Sequence, residues 1–133
     1  MFKKDQAPQP VNLTDTLGPE YCGFPVLFEA SGKTKATELP NGDRLYQNPN
    51  LRVTLTNEAN GKQETHVSTG TIRATDLEGG DVSLVSMGQN VIYSSSIGIL
   101  VLNGRYTFVE DEDENFTQPQ GNGRIIKACD QLA

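Results

Sequence analysis

From residue 21 onward the chain is cut by turn dipeptides into short runs in which apolar and polar residues alternate. No other feature limits the fold as tightly. Asn41-Gly42, Asn60-Gly61, Gly79-Gly80 and Asn103-Gly104 recur along it, and pairs of this kind supply the positive φ angles that tight hairpin turns demand. Between them, Leu51, Val53 and Leu55 alternate with Arg52, Thr54 and Thr56, and Tyr106 and Phe108 alternate with Arg105 and Thr107. That is the period of a half-buried strand. Ile97 to Leu102 lacks the alternation and reads as a strand covered on both faces. Strands are expected at Cys22 to Ala30, Lys33 to Leu39, Arg44 to Tyr46, Leu51 to Asn57, Gln63 to Thr75, Val82 to Met87, Val91 to Tyr93, Ile97 to Leu102, Tyr106 to Val109 and Gly123 to Cys129. Many short strands at this spacing predict an all-β fold, a single antiparallel β-sandwich or flattened barrel.

Residues 1 to 20 differ from the rest, being rich in Pro and polar residues with nothing periodic to bury. They are expected to form an extended N-terminal arm in front of a β-sandwich domain at residues 21 to 133. Although the segment starts with two lysines, it has no apolar stretch and is not a signal peptide. Such an arm cannot offset its own ordering entropy by internal burial. It is therefore expected to lie against a protein partner, with Phe2, Val11 and Leu13 as apolar anchors.

Charge and apolar run length exclude several partners. Seventeen acidic and eleven basic residues leave a net charge of -6, which opposes binding to a phosphate backbone, so no nucleic acid is expected. The longest apolar run, Ile97 to Leu102, is far short of the roughly 20 residues of a membrane helix. Cys22 and Cys129 are the two cysteines and stand near the two ends of the domain. Their placement invites a disulfide and hence an oxidising, extracellular location. The alternative is a pair of buried free thiols on neighbouring strands.

Candidate chemistry is sparse. Glu110 to Asn115 form an acidic run expected at a hairpin tip, where charge keeps the edge from pairing with another sheet. Within it Asp111, Asp113 and Asn115 have the spacing that opens a calcium loop, but Phe116 stands where that loop has Gly and Asn122 where it has the closing Glu. No metal and no cofactor are assigned; those three residues remain a weak divalent candidate. His66, the single histidine, lies mid-strand with Glu64 on the same face and reads as a surface or cross-strand residue. Ser94, Ser95 and Ser96 lack the frame of a nucleophile elbow and read as a loop between strands. No catalytic residue is assigned. Exposed Tyr21, Tyr46 and Tyr93 would make a stacking face for carbohydrate.

Several segments taken in order carry a resemblance: "CGFPV" (22 to 26), "SGKTKATELPNG" (31 to 42), "NPNLRVTLTNEANGK" (48 to 62), "GDVSLV" (80 to 85), "LNGRYTFV" (102 to 109) and "GNGRIIKACDQLA" (121 to 133). Together they resemble a family of short secreted actinobacterial proteins without an assigned activity. The resemblance covers nearly all of residues 22 to 133. It implies export, an actinobacterial or actinobacteriophage source, and pairing of Cys22 with Cys129, and it brings no catalytic residues. The expected function is a non-enzymatic extracellular structural or interaction module, foremost a virion surface protein such as a capsid decoration or tail protein. Its partners would then be capsid or tail subunits, or further copies of itself in a homo-oligomer. The alternative is a secreted or cell-envelope actinobacterial protein, with carbohydrate binding as one of its roles.

Overall fold

The alternating runs do become strands, but fewer and longer ones than the turn dipeptides suggest. The computed structural model describes residues 9 to 133. Its elements are β1 (Gln9–Leu17), α1 (Pro19–Cys22), β2 (Val26–Glu38), β3 (Arg44–Gln47), β4 (Arg52–Asn57), β5 (Gln63–Val67), β6 (Thr71–Asp76), β7 (Val82–Ser94), β8 (Gly98–Glu110), β9 (Gln120–Lys127) and α2 (Ala128–Leu132). Every strand pairing is antiparallel, and the architecture is all-β.

Two sheets share β2. Residues 26 to 31 of β2 pair with β1 on one side and β4 on the other, and β5 extends β4, so the first sheet runs β1-β2-β4-β5. The last residues of β2 pair with β3, which begins the second sheet, β2-β3-β6-β7-β8-β9. The expected strand at Gln63 to Thr75 is two strands, because the chain changes sheets at Ser68 to Gly70. At that crossing Ser68 Oγ accepts from Val91 N–H at 3.0 Å and Gly70 N–H donates to Gln89 O at 2.9 Å.

The long hairpin β7–β8 serves two cores. Even-numbered side chains, Leu84 and Ile92 on β7 and Leu100, Leu102, Tyr106 and Phe108 on β8, fill one with Ala36, Tyr46, Ile72, Ala74 and Phe116. The second core lies between the first sheet and the opposite face of the hairpin, where Ile99, Val91 and Tyr93 meet Val26, Phe28, Val53 and Leu55. Ile99, Leu100, Val101 and Leu102 are all buried, as the lack of alternation at residues 97 to 102 predicts. Beyond them the odd-numbered face opens to solvent, with Arg105 and Thr107 exposed and Met87, opposite Arg105, 49% exposed.

Three of the four turn dipeptides lie at turns: Asn41-Gly42 between β2 and β3, Asn60-Gly61 between β4 and β5, and Gly79-Gly80 between β6 and β7. Asn103-Gly104 does not. It lies within β8, Asn103 donates its side-chain amide across the sheet to Gln89 Oε1 at 3.2 Å, and Gly104 faces Gly88 on β7 and Gly123 on β9. The glycine is needed for close approach, because a Cβ at Gly104 would collide with Asn122 O and would reach within 2.8 Å of Gly123 Cα. Its φ of 140° lies outside the range comfortable for other residues.

Residues 9 to 17, expected to belong to the arm, are extended but form an edge strand of the domain's own sheet. Leu17 is buried in the second core, so this segment has an anchor within its own chain. Cys22 and Cys129 are joined in a disulfide. The pair does not bridge neighbouring strands; it ties α1 to α2. In α1, Pro19 takes the first helical turn, and Gly23, with φ 85°, ends the helix by donating its N–H to Pro19 O at 2.7 Å. On the far side of the bond, Leu132 of α2 is fully buried, and its carbonyl accepts from Asn57 Nδ2 at 2.8 Å and Asn60 Nδ2 at 3.2 Å.

Two measurements follow from this architecture. Gly104→Ala is expected to lower stability in urea by more than about 1 kcal/mol, whereas Asn103→Ala, exposed on the same strand, changes it by about 0.5 kcal/mol or less; equal effects would contradict the close approach. Reducing the disulfide removes a closure spanning 107 residues. A loss of stability of about 2 to 5 kcal/mol is expected, read as a drop in melting temperature with the chain still folded at 25 °C.

Candidate functional site

Where β2 passes from one sheet to the other, the two cores do not meet completely. They leave a cavity of about 340 Å³ between β1, β2 and β4 on one side and β6 and the second half of β7 on the other. Its walls are largely apolar: Phe28, Ala30 and Val53 from the first sheet, Ile72, Ile92 and Tyr93 from the second. The lining runs outward from buried Val53 to Leu13, which is 44% exposed, so the cavity reaches the surface beside β1.

Its polar groups are few, and most are engaged. Thr34 Oγ1 donates to Asn48 Oδ1 at 2.9 Å, and Ser68 Oγ accepts from Val91 N–H. Asn90 is 1% exposed. Its Nδ2 donates to Ser86 Oγ at 2.7 Å, Thr71 O at 3.2 Å and Met87 O at 3.3 Å. Two of these partners are carbonyls, which only accept, so the nitrogen must face them. Asn90 Oδ1 is left buried without a partner, a condition that costs about 1 to 3 kcal/mol. Sequence reading did not single out this asparagine, since its burial depends on Gly70, whose Cα packs beside it and where a Cβ would lie 2.7 Å from Asn90 Nδ2.

The acidic run is a self-satisfied turn. Asp111 Oδ1 accepts from Asp113 N–H and Asn115 N–H, both at 2.9 Å, and Glu114 takes a left-handed φ of 63°. Asn115 Oδ1 accepts from Ser95 Oγ at 3.1 Å. Two of the three candidate cation ligands thus spend these oxygens on neighbouring donors, and among the described residues no group of three or more His, Cys, Asp and Glu side chains is placed to hold a metal. Ser94 and Ser96 hold the following residue: Ser96 Oγ donates to Phe116 O at 2.7 Å, and both hydroxyl oxygens lie within reach of Phe116 N–H. Phe116 then stacks edge-on against Phe108, with ring centroids 5.1 Å apart.

Glu110 departs from the expectation for the run. It ends β8 and is 5% exposed, and its Oε2 has no partner. The alternation that buries Tyr106 and Phe108 carries one step further and buries this carboxylate too. Burial pushes the Glu110 carboxyl above its ordinary value; the charges of Glu114 and Asp111 push the same way, and Arg44 pulls against them.

The tyrosines do not form an exposed stacking face. Tyr46 is buried in the first core, where burial pushes its hydroxyl up to about 12. Tyr93 packs against Phe28 at 4.9 Å and Tyr21 at 5.9 Å within the second. His66 and Glu64 share a face, with Nε2 and Oε1 3.4 Å apart. Of the expected arm anchors, Val11 and Leu13 line the cavity from β1, and Phe2 lies outside the described residues.

Among the described residues no helix is long and apolar enough to cross a membrane. Comparison of the chain with protein-family models, curated proteins and solved structures finds no match.

Glu110 yields a pH test. Its folded carboxyl holds its proton more tightly than the unfolded one, so it lowers stability progressively as pH rises from the unfolded value through the raised one. Glu110→Gln is expected to melt higher than the parent at pH 7, with the gap closing as pH falls toward the ordinary carboxylate range. A gap independent of pH would show that the carboxylate is not strained by burial.

Proposed function

We propose that this chain is a non-enzymatic extracellular module that works by docking to other proteins, foremost as a capsid decoration or tail component on an actinobacteriophage virion. The observation that carries this reading is the Cys22–Cys129 bond, which ties together two short helices flanking almost the whole of the sheet framework. A closure of that span is retained in an oxidising location and is reduced in a cytosolic one. The docking element in this reading is β1. Among the described residues it pairs with β2 alone, which leaves its outer edge to receive a strand from a capsid or tail subunit, and Leu13 beside it is the exposed apolar contact. Resemblance to secreted actinobacterial proteins, together with the same disulfide, supports a second setting, a free secreted or cell-envelope protein.

Protein mass spectrometry of purified particles and of culture medium from the encoding host separates the settings. The virion reading expects the chain in the particles with Cys22 and Cys129 oxidised, and Leu13→Asp to fold with an unchanged melting temperature but to be lost from them. Oxidised chain in the medium alone supports the second setting. Reduced chain confined to the cytosol overturns both.

A further inference from the structure

We propose that the outer face of the second sheet joins two copies of this chain face to face, as a twofold dimer in which the basic rows of each copy meet the acidic turns of the other. The inference does not rest on the docking role of β1, whose open edge belongs to the first sheet. It starts from register, because residues paired across strands share a face and neighbours along a strand take opposite faces. Ala36, Ile72 and Tyr106 fill the first core, so Lys35, Arg73 and Arg105 stand on the outer face. Arg124 joins them from β9, opposite Asn103. The paired rows that run through these four residues across β2, β3, β6, β7, β8 and β9 contain no carboxylate. Asp43, just before β3, is spent on Arg73 at 2.7 Å, and Lys35, Arg105 and Arg124 have no ion pair among the described residues.

Followed along the strands in the other direction, the same face turns acidic. Asp81 precedes β7, Asp111 follows β8, Glu78 lies between β6 and β7, and Glu112 and Asp113 lie in the turn after β8. The two turns adjoin, since a Cβ at Gly80 would lie 3.5 Å from Glu112. Between the charged ends are half-buried Val85 and Val109, and the exposed Met87 and Leu77 stand on the same face. Such a face is its own complement. Arg105 and Asp111 are separated by about 20 Å of extended chain. Turning a second copy by half a revolution about an axis perpendicular to the strands brings Arg105 of each copy over Asp111 of the other, with Val85 and Val109 near the axis. Twofold contacts of this self-complementary kind are the commonest between like chains. With strands about 4.8 Å apart, the face measures about 500 Å², so two copies bury about 1,000 Å², the low end for a specific interface. The net charge of -6 on each copy opposes approach, but salt screens it beyond about 10 Å, and at contact unlike charges meet.

The test is sedimentation of the intact, oxidised protein from micromolar to millimolar concentration. A reversible monomer–dimer equilibrium is expected, weakened at least about tenfold when salt rises from about 0.05 to 0.5 M. Arg105→Glu with Arg124→Glu is expected to raise the dimer dissociation constant at least about tenfold, and so is Glu112→Lys with Asp113→Lys. Mixing the two doubly substituted proteins should restore a one-to-one heterodimer, because one then carries acid and the other base at both ends of the face. A misfolded variant would not be rescued in this way. Should either fail to fold, Val85→Glu at the centre of the face is expected to lose the dimer while keeping its circular dichroism spectrum. Leu13→Asp, on the docking edge of β1, leaves the dimer unchanged. A chain that stays monomeric at every concentration would overturn the proposal, as would assemblies larger than a dimer, loss of the dimer in Leu13→Asp, or folded charge-reversed proteins that stay apart when mixed.

Discussion

The structure depends on a strand with no solvent face. Over Ile99 to Leu102, β8 buries successive side chains to opposite sides, so both cores are built on one backbone, and neither sheet has an independent hydrophobic interior. Such a strand must end its double burial somewhere, and it does so where Gly88, Gly104 and Gly123 face one another across β7, β8 and β9. Before that row the odd face packs on the first sheet; after it, Arg105 and Thr107 meet solvent. Side chains there would hold the strands apart, since Cβ atoms at Gly104 and Gly123 would run into the backbone of the strand beside each.

The termini of the described chain are fastened to this frame covalently and by hydrogen bonds. Leu17 and Leu132 enter the same core, the disulfide joins the helices at those ends, and Asn57 at the end of β4 and Asn60 in the following turn donate their side-chain amides to the Leu132 carbonyl. The first sheet is thus held at its strand ends as well as through its packing on the β7–β8 hairpin. This matters for the cavity, because its walls belong to both sheets and would part if they slid. A pocket formed between two layers keeps its shape only when the layers are fixed relative to each other, and the clasp and the shared β2 supply that restraint.

Polar residues in this molecule act mainly on the backbone. Asp111 holds the acidic turn by accepting two N–H groups, Ser94 and Ser96 hold Phe116, and Ser68 holds the crossing between sheets. Against that background Asn90 Oδ1 and Glu110 Oε2 are two of five atoms buried without a hydrogen-bond partner among the described residues, beside Arg44 Nε, Glu64 Oε2 and His66 Nε2. The first two differ in their surroundings. Glu110 ends β8 beside other acidic residues and is explained by the strand period; Asn90 lies on β7 with its amide nitrogen spent on Ser86, Thr71 and Met87.

The amino-acid sequence by itself determined the class of fold, the doubly covered strand expected at residues 97 to 102, of which 99 to 102 are buried, and three of the four tight turns. Each of these is encoded locally, as a period of two or as a pair of residues tolerant of positive φ. It pointed to pairing of Cys22 with Cys129, which the structure bears out, but it expected the bond between neighbouring strands where helices carry it. Only tertiary structure decided that Asn103-Gly104 continues a strand, since Asn-Gly serves a turn and a close strand approach equally well and the choice lies with Gly88 and Gly123 on other strands. The same holds for residues 9 to 17, whose polar composition gives no sign that β2 offers an open edge. The cavity and Asn90 belong wholly to the tertiary level. A void is set by the distance between sheets, and an orphaned oxygen by how many partners remain in reach; neither quantity is written in the order of residues.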